Sequence, residues 1–244
     1  INIEDDFLPA GAKTVTLQSV DGFVAGDQVV LVHPATTSWL ESIEFGVGQS
    51  GAEPWPASNR YNIVYNRYIT SIDKNKNTNS LDAPLFYGFT LKLAQAYVYK
   101  LNTQNILRVK DVTVKGIGLS GFLFSNTTRT TITDCLAIDP VSKIEGGRRY
   151  GFNTSSNSQL LLFNNCYARN SRHGFVSNGT TTSSGNVFLY CKSESAFAAS
   201  EGHRQWSSGF LFDNYKEIAY NGTYKHTLAF YNRGSYGTSH GWSM

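Results

Sequence analysis

A four-residue pattern recurs along the second half of the chain: an apolar residue, two mostly polar residues and a second residue that is usually apolar. The copies of this pattern begin at Val109, Ile132, Phe163, Phe188, Phe212 and Phe230. Successive copies start 23, 31, 25, 24 and 18 residues apart. A period of this size, with one short strand cluster and loops of variable length, is typical of a solenoid. The apolar residues alternate and do not recur every 3.6 positions, so the repeats are predicted to be strands.

The predicted fold class is therefore all-β, a right-handed parallel β-helix with a small N-terminal β cap. In such a fold each coil lies about 4.8 Å above the last. We expect residues 1–60 to form the cap and a loop region, and residues 61–244 to form one continuous β-helix with a truncated C-terminal end. Within the cap, alternation predicts strands over 12–20 and 27–33, with a short helix over 39–45.

All three cysteines occupy the same place in the repeat. Cys135, Cys166 and Cys191 each end a copy of the pattern. Parallel, in-register coils would stack them in a buried column, where disulfide torsions near 90° are hard to reach. Their odd number also argues against a disulfide framework. We interpret them as small apolar fillers and not as a metal or redox site.

The residue before this place is polar in almost every coil. It is Asp111, Asp134, Asn165, Tyr190, Asn214 and Asn232 in successive copies. Stacked side-chain amides at one corner of the coil would form a polar ladder and satisfy backbone groups. Asp134 and Asn165 are therefore predicted to be structural and not catalytic.

The charge of the chain is unevenly distributed. Residues 1–139 hold 11 Lys/Arg and 13 Asp/Glu, a balance of −2, whereas residues 140–244 hold 10 and 5, a balance of +5, with four of the five histidines. A basic half suits an anionic partner. Its cations lie singly beside glycines and aromatics, which favours an acidic polysaccharide over nucleic acid. No apolar run is long enough to span a bilayer, so no membrane partner is expected. Self-association remains open.

Polar and aromatic clusters interrupt the repeat between residues 139 and 242. Loops on the same edge of stacked coils become neighbours in space, which predicts that these clusters form one site. The catalytic candidates are His203, Arg204, His173 and Arg149. The substrate-binding candidates are Lys143, Arg148, Arg172, Glu201, Trp206, Asp213, Arg233, His240 and Trp242.

This inventory suits β-elimination from a uronate. That reaction needs a base for the proton α to the carboxylate, a cation to neutralise the carboxylate, and an acid for the leaving oxygen. His203 or His173 would abstract the proton, with Arg204 assisting. Arg148 and Arg149 would neutralise the carboxylate, because a guanidinium presents a planar fork of donors. The indole of Trp206 would stack on a sugar ring.

Two other functions remain open. A glycoside hydrolase or glycosyl transferase would need two carboxylates at the scissile bond, and Glu201 and Asp213 are the available pair. A non-catalytic β-helix would serve as a fibre, an adhesive module or a glycan-binding surface. No cofactor is identified: Ca²⁺ is compatible with the chain, but no acidic cluster for it and no other metal-binding motif is visible.

The clusters resemble a poorly characterised group of secreted bacterial proteins in the pectate-lyase-like right-handed β-helix superfamily. The similarity lies in Asp139-Pro-Val-Ser-Lys-Ile-Glu-Gly-Gly-Arg-Arg-Tyr150, Arg172-His-Gly-Phe175, Gly202-His-Arg-Gln-Trp206, Leu211-Phe-Asp-Asn214 and Gly237-Thr-Ser-His-Gly-Trp242. It extends more weakly to 29–39 and 81–84, and so covers most of the chain. The resemblance implies a β-helix fold, a carbohydrate-active function and a location outside the cell or at its surface.

Overall fold

The computed structural model describes residues 1–43, 62–101, 108–178, 183–203, 207–220 and 228–229. The described residues fall into two compact units, one ending at Leu101 and the other beginning at Arg108. Each unit has its own sheets and its own pattern of strand pairing.

The first unit is an antiparallel β structure. Its elements are β1 (Phe7–Leu8), β2 (Thr14–Thr16), β3 (Gln28–His33), α1 (Thr37–Ser42), β4 (Ile63–Asp73), β5 (Thr78–Leu81), β6 (Phe89–Thr90) and β7 (Tyr97–Lys100). Five strands form one sheet in the order β2-β5-β4-β3-β7, and β1 pairs with β6. All six residues of β3 are buried, so this strand forms the centre of the unit. Helix α1 begins after Thr36, whose hydroxyl accepts a hydrogen bond from the Trp39 backbone at 3.1 Å.

The boundary expected at residue 60 differs from the structure. Strand β4 pairs antiparallel with β3, and β7 pairs with the other edge of β3, so the antiparallel unit extends to Lys100. Along β4 buried and half-buried residues alternate, as they also do in a coil of a β-helix. Alternation reports which face of a strand is buried and not the direction of its neighbour, so the sequence pattern could not separate the two units.

The second unit is a stack of coils. Its strands are β8 (Arg108–Lys110), β9 (Thr113–Lys115), β10 (Ser120–Ser125), β11 (Thr131–Thr133), β12 (Leu136–Ile138), β13 (Tyr150–Ser155), β14 (Leu162–Asn164), β15 (Tyr167–Arg169), β16 (His173–Ser177), β17 (Ser183–Ser184), β18 (Val187–Leu189), β19 (Lys192–Ala196), β20 (Ser200–Gly202), β21 (Ser207–Ser208), β22 (Leu211–Asp213), β23 (Lys216–Ala219) and β24 (Leu228–Ala229). They form three long parallel sheets, in the orders β10-β13-β16-β20-β24, β8-β11-β14-β18-β22 and β9-β12-β15-β19-β23, and the short sheet β17-β21. The predicted all-β parallel β-helix is confirmed.

Neighbouring coils pair so that equivalent residues of the sequence repeat lie side by side. Ile132 pairs with Val109 on one side and with Phe163 on the other. Phe163, Phe188 and Phe212 continue the column, with stacked rings 5.0 and 4.6 Å apart between centroids. A second aromatic column, Phe122, Phe152 and Phe175, runs along the sheet containing β13, with centroids 4.8 Å apart at both steps. The two columns meet edge to face inside the coils and form the core.

The cysteines lie in this core, as predicted. Cys135, Cys166 and Cys191 are buried and none of them forms a disulfide. A hydrogen bond with Cys191, together with burial, raises the pKa of the Cys166 thiol far above its ordinary value. The Cys166 thiol therefore remains protonated, and the three cysteines act as small core side chains.

The third residue of each four-residue repeat, which precedes a cysteine in three coils, lies at a corner with unusual backbone geometry. Asp111, Asp134, Asn165, Tyr190 and Asn214 all have left-handed φ values, between 48° and 56°. Asn165 Nδ2 donates to Asp134 Oδ1 at 2.7 Å, which is one step of the predicted ladder. The backbone explains the residue types more directly, since Asn and Asp tolerate the left-handed region better than most residues. The structural role predicted for Asp134 and Asn165 is confirmed.

Among the described residues no helix has the length and apolar character that crossing a membrane requires.

Candidate functional site

Successive coils of the β13–β16–β20 sheet bring an aromatic ring and two imidazoles together. Tyr150 begins β13 and His173 begins β16, and the two residues pair in register. Their ring centroids lie 5.5 Å apart. His203 directly follows β20, and its ring lies 4.8 Å from that of His173 and 6.2 Å from that of Tyr150. The predicted convergence of loops from successive coils is therefore present for His173 and His203.

A carboxylate connects the two imidazoles. Glu201 and His203 are two residues apart in an extended segment, so their side chains leave the same face. His203 Nδ1 lies 2.6 Å from Glu201 Oε1, and His173 Nδ1 lies 3.5 Å from the same oxygen. The side chains of Glu201 and His173 are each 2% exposed, and that of His203 is 10% exposed. With Glu201 ionised, His203 Nδ1 donates its proton to the carboxylate, and the basic lone pair is on Nε2.

His173 is held in one neutral tautomer. Its Nδ1 donates to the backbone carbonyl of Ala199, which leaves the lone pair on Nε2. Burial, reinforced by the neighbouring His203, lowers the pKa of His173 to about 3. Within the part of the chain that the structure describes, Nε2 has no hydrogen-bond partner. His173 is therefore an enclosed neutral imidazole and not an open surface base.

Tyr150 presents its hydroxyl beside this pair. The phenolic oxygen accepts hydrogen bonds from the Gly147 backbone N–H at 3.1 Å and from Arg172 Nη1 at 3.4 Å. Among the described residues none accepts the proton of this hydroxyl. A cleft of about 260 Å³ adjoins the hydroxyl and is lined by Gly146, Gly147, Tyr150, Asn178 and His203.

Two glycines set the position of the strands that hold the site. A side chain at Gly174 would lie 2.2 Å from the hydroxyl of Ser193, and one at Gly151 would lie 2.5 Å from the Gly174 carbonyl. Only glycine permits the close approach of this sheet to Ser193 and to the next strand. These glycines directly follow His173 and Tyr150, so the close approach positions both rings.

The paired arginines do not have the place predicted for them. Arg149 donates to the carbonyls of Asn170 at 2.8 Å and Ser142 at 2.7 Å, and its guanidinium lies 5.3 Å from the Phe197 ring centroid. It thus stabilises the base of the 139–150 loop. Arg148 is exposed and forms an ion pair with Glu145 at 3.2 Å.

The two remaining described cations among the predicted site residues differ in their contacts. Lys143 is exposed on the same loop as Arg148. Arg172 is the described cation that contacts Tyr150.

The carboxylate pair proposed for hydrolysis is not brought together. Asp213 ends β22 in a different sheet from β20, and it is exposed, with Oδ1 accepting from Asn214. Glu201 is buried and hydrogen-bonded to an imidazole. Two carboxylates that flank a scissile bond would have to face the same cleft.

Two residues of interest were missed by the sequence reasoning. Tyr150 was only part of a quoted motif, although aligning the end of the 139–150 loop with the next coil would have placed it beside His173. Glu217 pairs in register with Ser193, which continues a column of small inward residues. Its carboxyl accepts from the Ser200 backbone and hydroxyl, both at 3.1 Å, and burial raises its pKa to about 8.

Five of the predicted site residues lie outside the described part of the chain. They are Arg204, Trp206, Arg233, His240 and Trp242.

Comparisons with known proteins find solved structures only: no protein-family model and no curated protein matches the chain. The tailspike protein gp49 from Pseudomonas phage LKA1 is 14% identical, with a TM-score of 0.47 over 91% of this chain and 42% of that one. The tailspike gp61 of Pseudomonas phage phi297 is 11% identical, with a TM-score of 0.42 over 88% and 45%. The Gp54 tailspike of Acinetobacter baumannii bacteriophage AP22, solved with a capsular saccharide, is 10% identical, with a TM-score of 0.41 over 80% and 45%. The chain therefore spans less than half the length of each of these proteins.

Proposed function

We propose that the protein is a secreted polysaccharide lyase of the pectate-lyase-like superfamily, which cleaves an acidic, uronate-containing polysaccharide by β-elimination. One observation supports this most strongly: His203, oriented by Glu201 at 2.6 Å, lines the same cleft as Tyr150. The pair supplies a base and an acid on coils that are separated by the one containing His173.

His203 is the base. Because Glu201 accepts the Nδ1 proton, the Nε2 lone pair takes the proton α to the uronate carboxylate. The buried carboxylate then stabilises the imidazolium that forms, as the aspartate does in a serine protease triad. His173 packs against His203 and keeps its ring in place.

Tyr150 is the acid. Its phenolic proton passes to the glycosidic oxygen as the bond from that oxygen to the β-carbon breaks. The phenolate left behind accepts from the Gly147 N–H and from Arg172, which stabilise its charge. The products are a sugar with a carbon–carbon double bond conjugated to the carboxylate and a new reducing end. Return of the proton from His203 to Tyr150 completes the cycle, and no water is consumed.

Arg172 and the basic half of the chain suit an anionic substrate. Residues 140–244 have a balance of +5. Arg172 lies at the acid, where a cation would both hold a uronate carboxylate and stabilise the developing charge. Among the described cations, Arg172 takes the role first expected of Arg148 and Arg149.

The test is an incubation with a panel of acidic and neutral polysaccharides, followed at the same time by ultraviolet absorbance and by reducing ends. Both signals are expected to rise together on one acidic polysaccharide. His203→Gln should reduce the rate by about 10²- to 10⁴-fold, the usual contribution of a positioned base. The matched control Asp213→Asn, on another sheet, should retain full activity. Reducing ends without absorbance would show hydrolysis, and no signal on any substrate would show a binding or structural protein; either result would overturn the proposal.

A further inference from the structure

The three side chains at the base of the proposed site also form a set of metal donors. His173, Glu201 and His203 each offer one ligand atom, and these atoms lie within 4.8 Å of one another. All three residues are buried. Two imidazoles and one carboxylate are the donors of many zinc sites, whereas Ca²⁺ prefers sites made of oxygen alone.

A second observation points independently to a ligand. His173 is 2% exposed, and among the described residues its Nε2 has no hydrogen-bond partner. Leaving a buried acceptor unpaired destabilises the folded chain. The opposite nitrogen, Nδ1, donates to the Ala199 carbonyl. In many metal sites a backbone carbonyl orients a histidine ring in this way.

We propose that His173, Glu201 and His203 bind a first-row divalent transition-metal ion of the Zn²⁺ type, and that the bound ion inhibits the enzyme. The ion takes a nitrogen lone pair of His203 and any proton that it displaces passes to solvent. An imidazole bound in this way no longer accepts a proton from the substrate. The binding stands by itself, whereas the inhibition rests on the proposed function.

The buried thiols are the competing ligands in this chain. Cys135, Cys166 and Cys191 are free, and thiolates bind zinc well. They lie in the hydrophobic core formed by the two aromatic columns, apart from the imidazole cluster. Cobalt distinguishes the two sites, because cobalt bound by thiolate has an intense charge-transfer band that cobalt bound by imidazole and carboxylate lacks.

The experiment uses the full chain after treatment with a chelator. Zn²⁺ is titrated by calorimetry, and Co²⁺ binding is followed by absorbance. One equivalent of each ion is expected, without the thiolate band, and both Glu201→Gln and His203→Gln should weaken binding by at least about ten-fold. Asp213→Asn should bind as the parent does. Equal affinity in all variants, or a thiolate band, would overturn the site.

A parallel assay of elimination separates this proposal from the proposed function. One equivalent of Zn²⁺ should abolish turnover, and removal of the ion should restore it. A rise in turnover with Zn²⁺ would overturn the inhibition. Binding without turnover on any polysaccharide would leave the metal site standing and contradict the lyase. Turnover without metal binding would support the lyase and contradict the metal site.

Discussion

Two sheets of the same coils differ in what their sequences repeat. In the β11–β14–β18–β22 sheet, Ile132, Phe163, Phe188 and Phe212 follow one another in register and all face the core. In the β13–β16–β20 sheet, Tyr150 is followed by His173, and the next coil adds Glu201 and His203. The first sheet keeps one chemical type from coil to coil. The second sheet repeats only at the core column Phe122, Phe152 and Phe175, and its residues outside that column differ from coil to coil.

The difference has a physical origin. Each coil packs on the coil before it and against the coil after it. Positions whose only role is packing can therefore carry the same residue type in every coil. A buried polar residue gains little stability and costs free energy if a partner is missing. Polar residues that break the repeat while buried are therefore explained better by a ligand than by packing. The following changes test this contrast.

The largest loss of stability is expected in the repeating sheet. Phe163→Ala removes a fully buried ring that contacts both aromatic columns, and should lower the free energy of unfolding by about 3–5 kcal/mol. Urea unfolding measures it. Leu123→Ala, where the side chain is 60% exposed, is the matched control and should change the same quantity by less than about 0.5 kcal/mol. Similar losses in both variants would mean that the column does not determine stability.

A smaller, pH-dependent effect is expected at Glu217, a polar residue that breaks the inward column. Its pKa rises from 4.5 to about 8 on folding, because burial favours the neutral acid. The folded state therefore holds one more proton than the unfolded state between these values, and stability falls as the pH rises, by at most about 1.4 kcal/mol per pH unit.

The window from pH 6.5 to 8 isolates this group. The pKa values of His33 and His173 are lowered from 6.5 to about 4 and about 3, so their opposite contributions, which are lost as the pH falls, lie mainly below this window. Unfolding of Glu217→Gln should show a flatter pH dependence than the parent within the window. An unchanged slope would show that another group is responsible.

The smallest change in stability is expected at Tyr190, which occupies the corner position where the other described coils have Asp or Asn. Tyr190 has a φ of 52° and is 59% exposed, so its bulky side chain occupies a left-handed position with little packing in return. Tyr190→Asn should raise the free energy of unfolding by about 0.5–1 kcal/mol. The reverse change at the equivalent position, Asn165→Tyr, should lower it. Thermal unfolding of both variants checks the pair, and a loss of stability in Tyr190→Asn would contradict this explanation of the corner.

Much of the fold was predictable from the sequence because the repeated residues are those that pack on one another from coil to coil. The column through Phe163, the buried cysteines and the polar corner at Asn165 all follow from one period and its register. The boundary between the two units did not follow, because the alternation in β4 is the same in either kind of sheet.

The site was only partly predictable. Spacing indicated that His173 and His203 would meet, and they do. It did not show that His173 would be enclosed, that Arg149 would bind backbone carbonyls, or that Tyr150 would face His203. These facts depend on how the longest insertion returns to the sheet, and residue types alone do not specify the path of a loop.

On this interpretation, the positions at which the repeat changes serve chemistry and not stability. The most direct measurement is elimination rate and free energy of unfolding in one variant, Tyr150→Phe, which keeps the ring and removes the hydroxyl. We expect the rate to fall by about 10²-fold or more, since the acid is lost. The free energy of unfolding should change by no more than about 1–1.5 kcal/mol, the net value of a hydrogen bond. A stable variant with full activity, or an unstable one with full activity per folded molecule, would contradict the account.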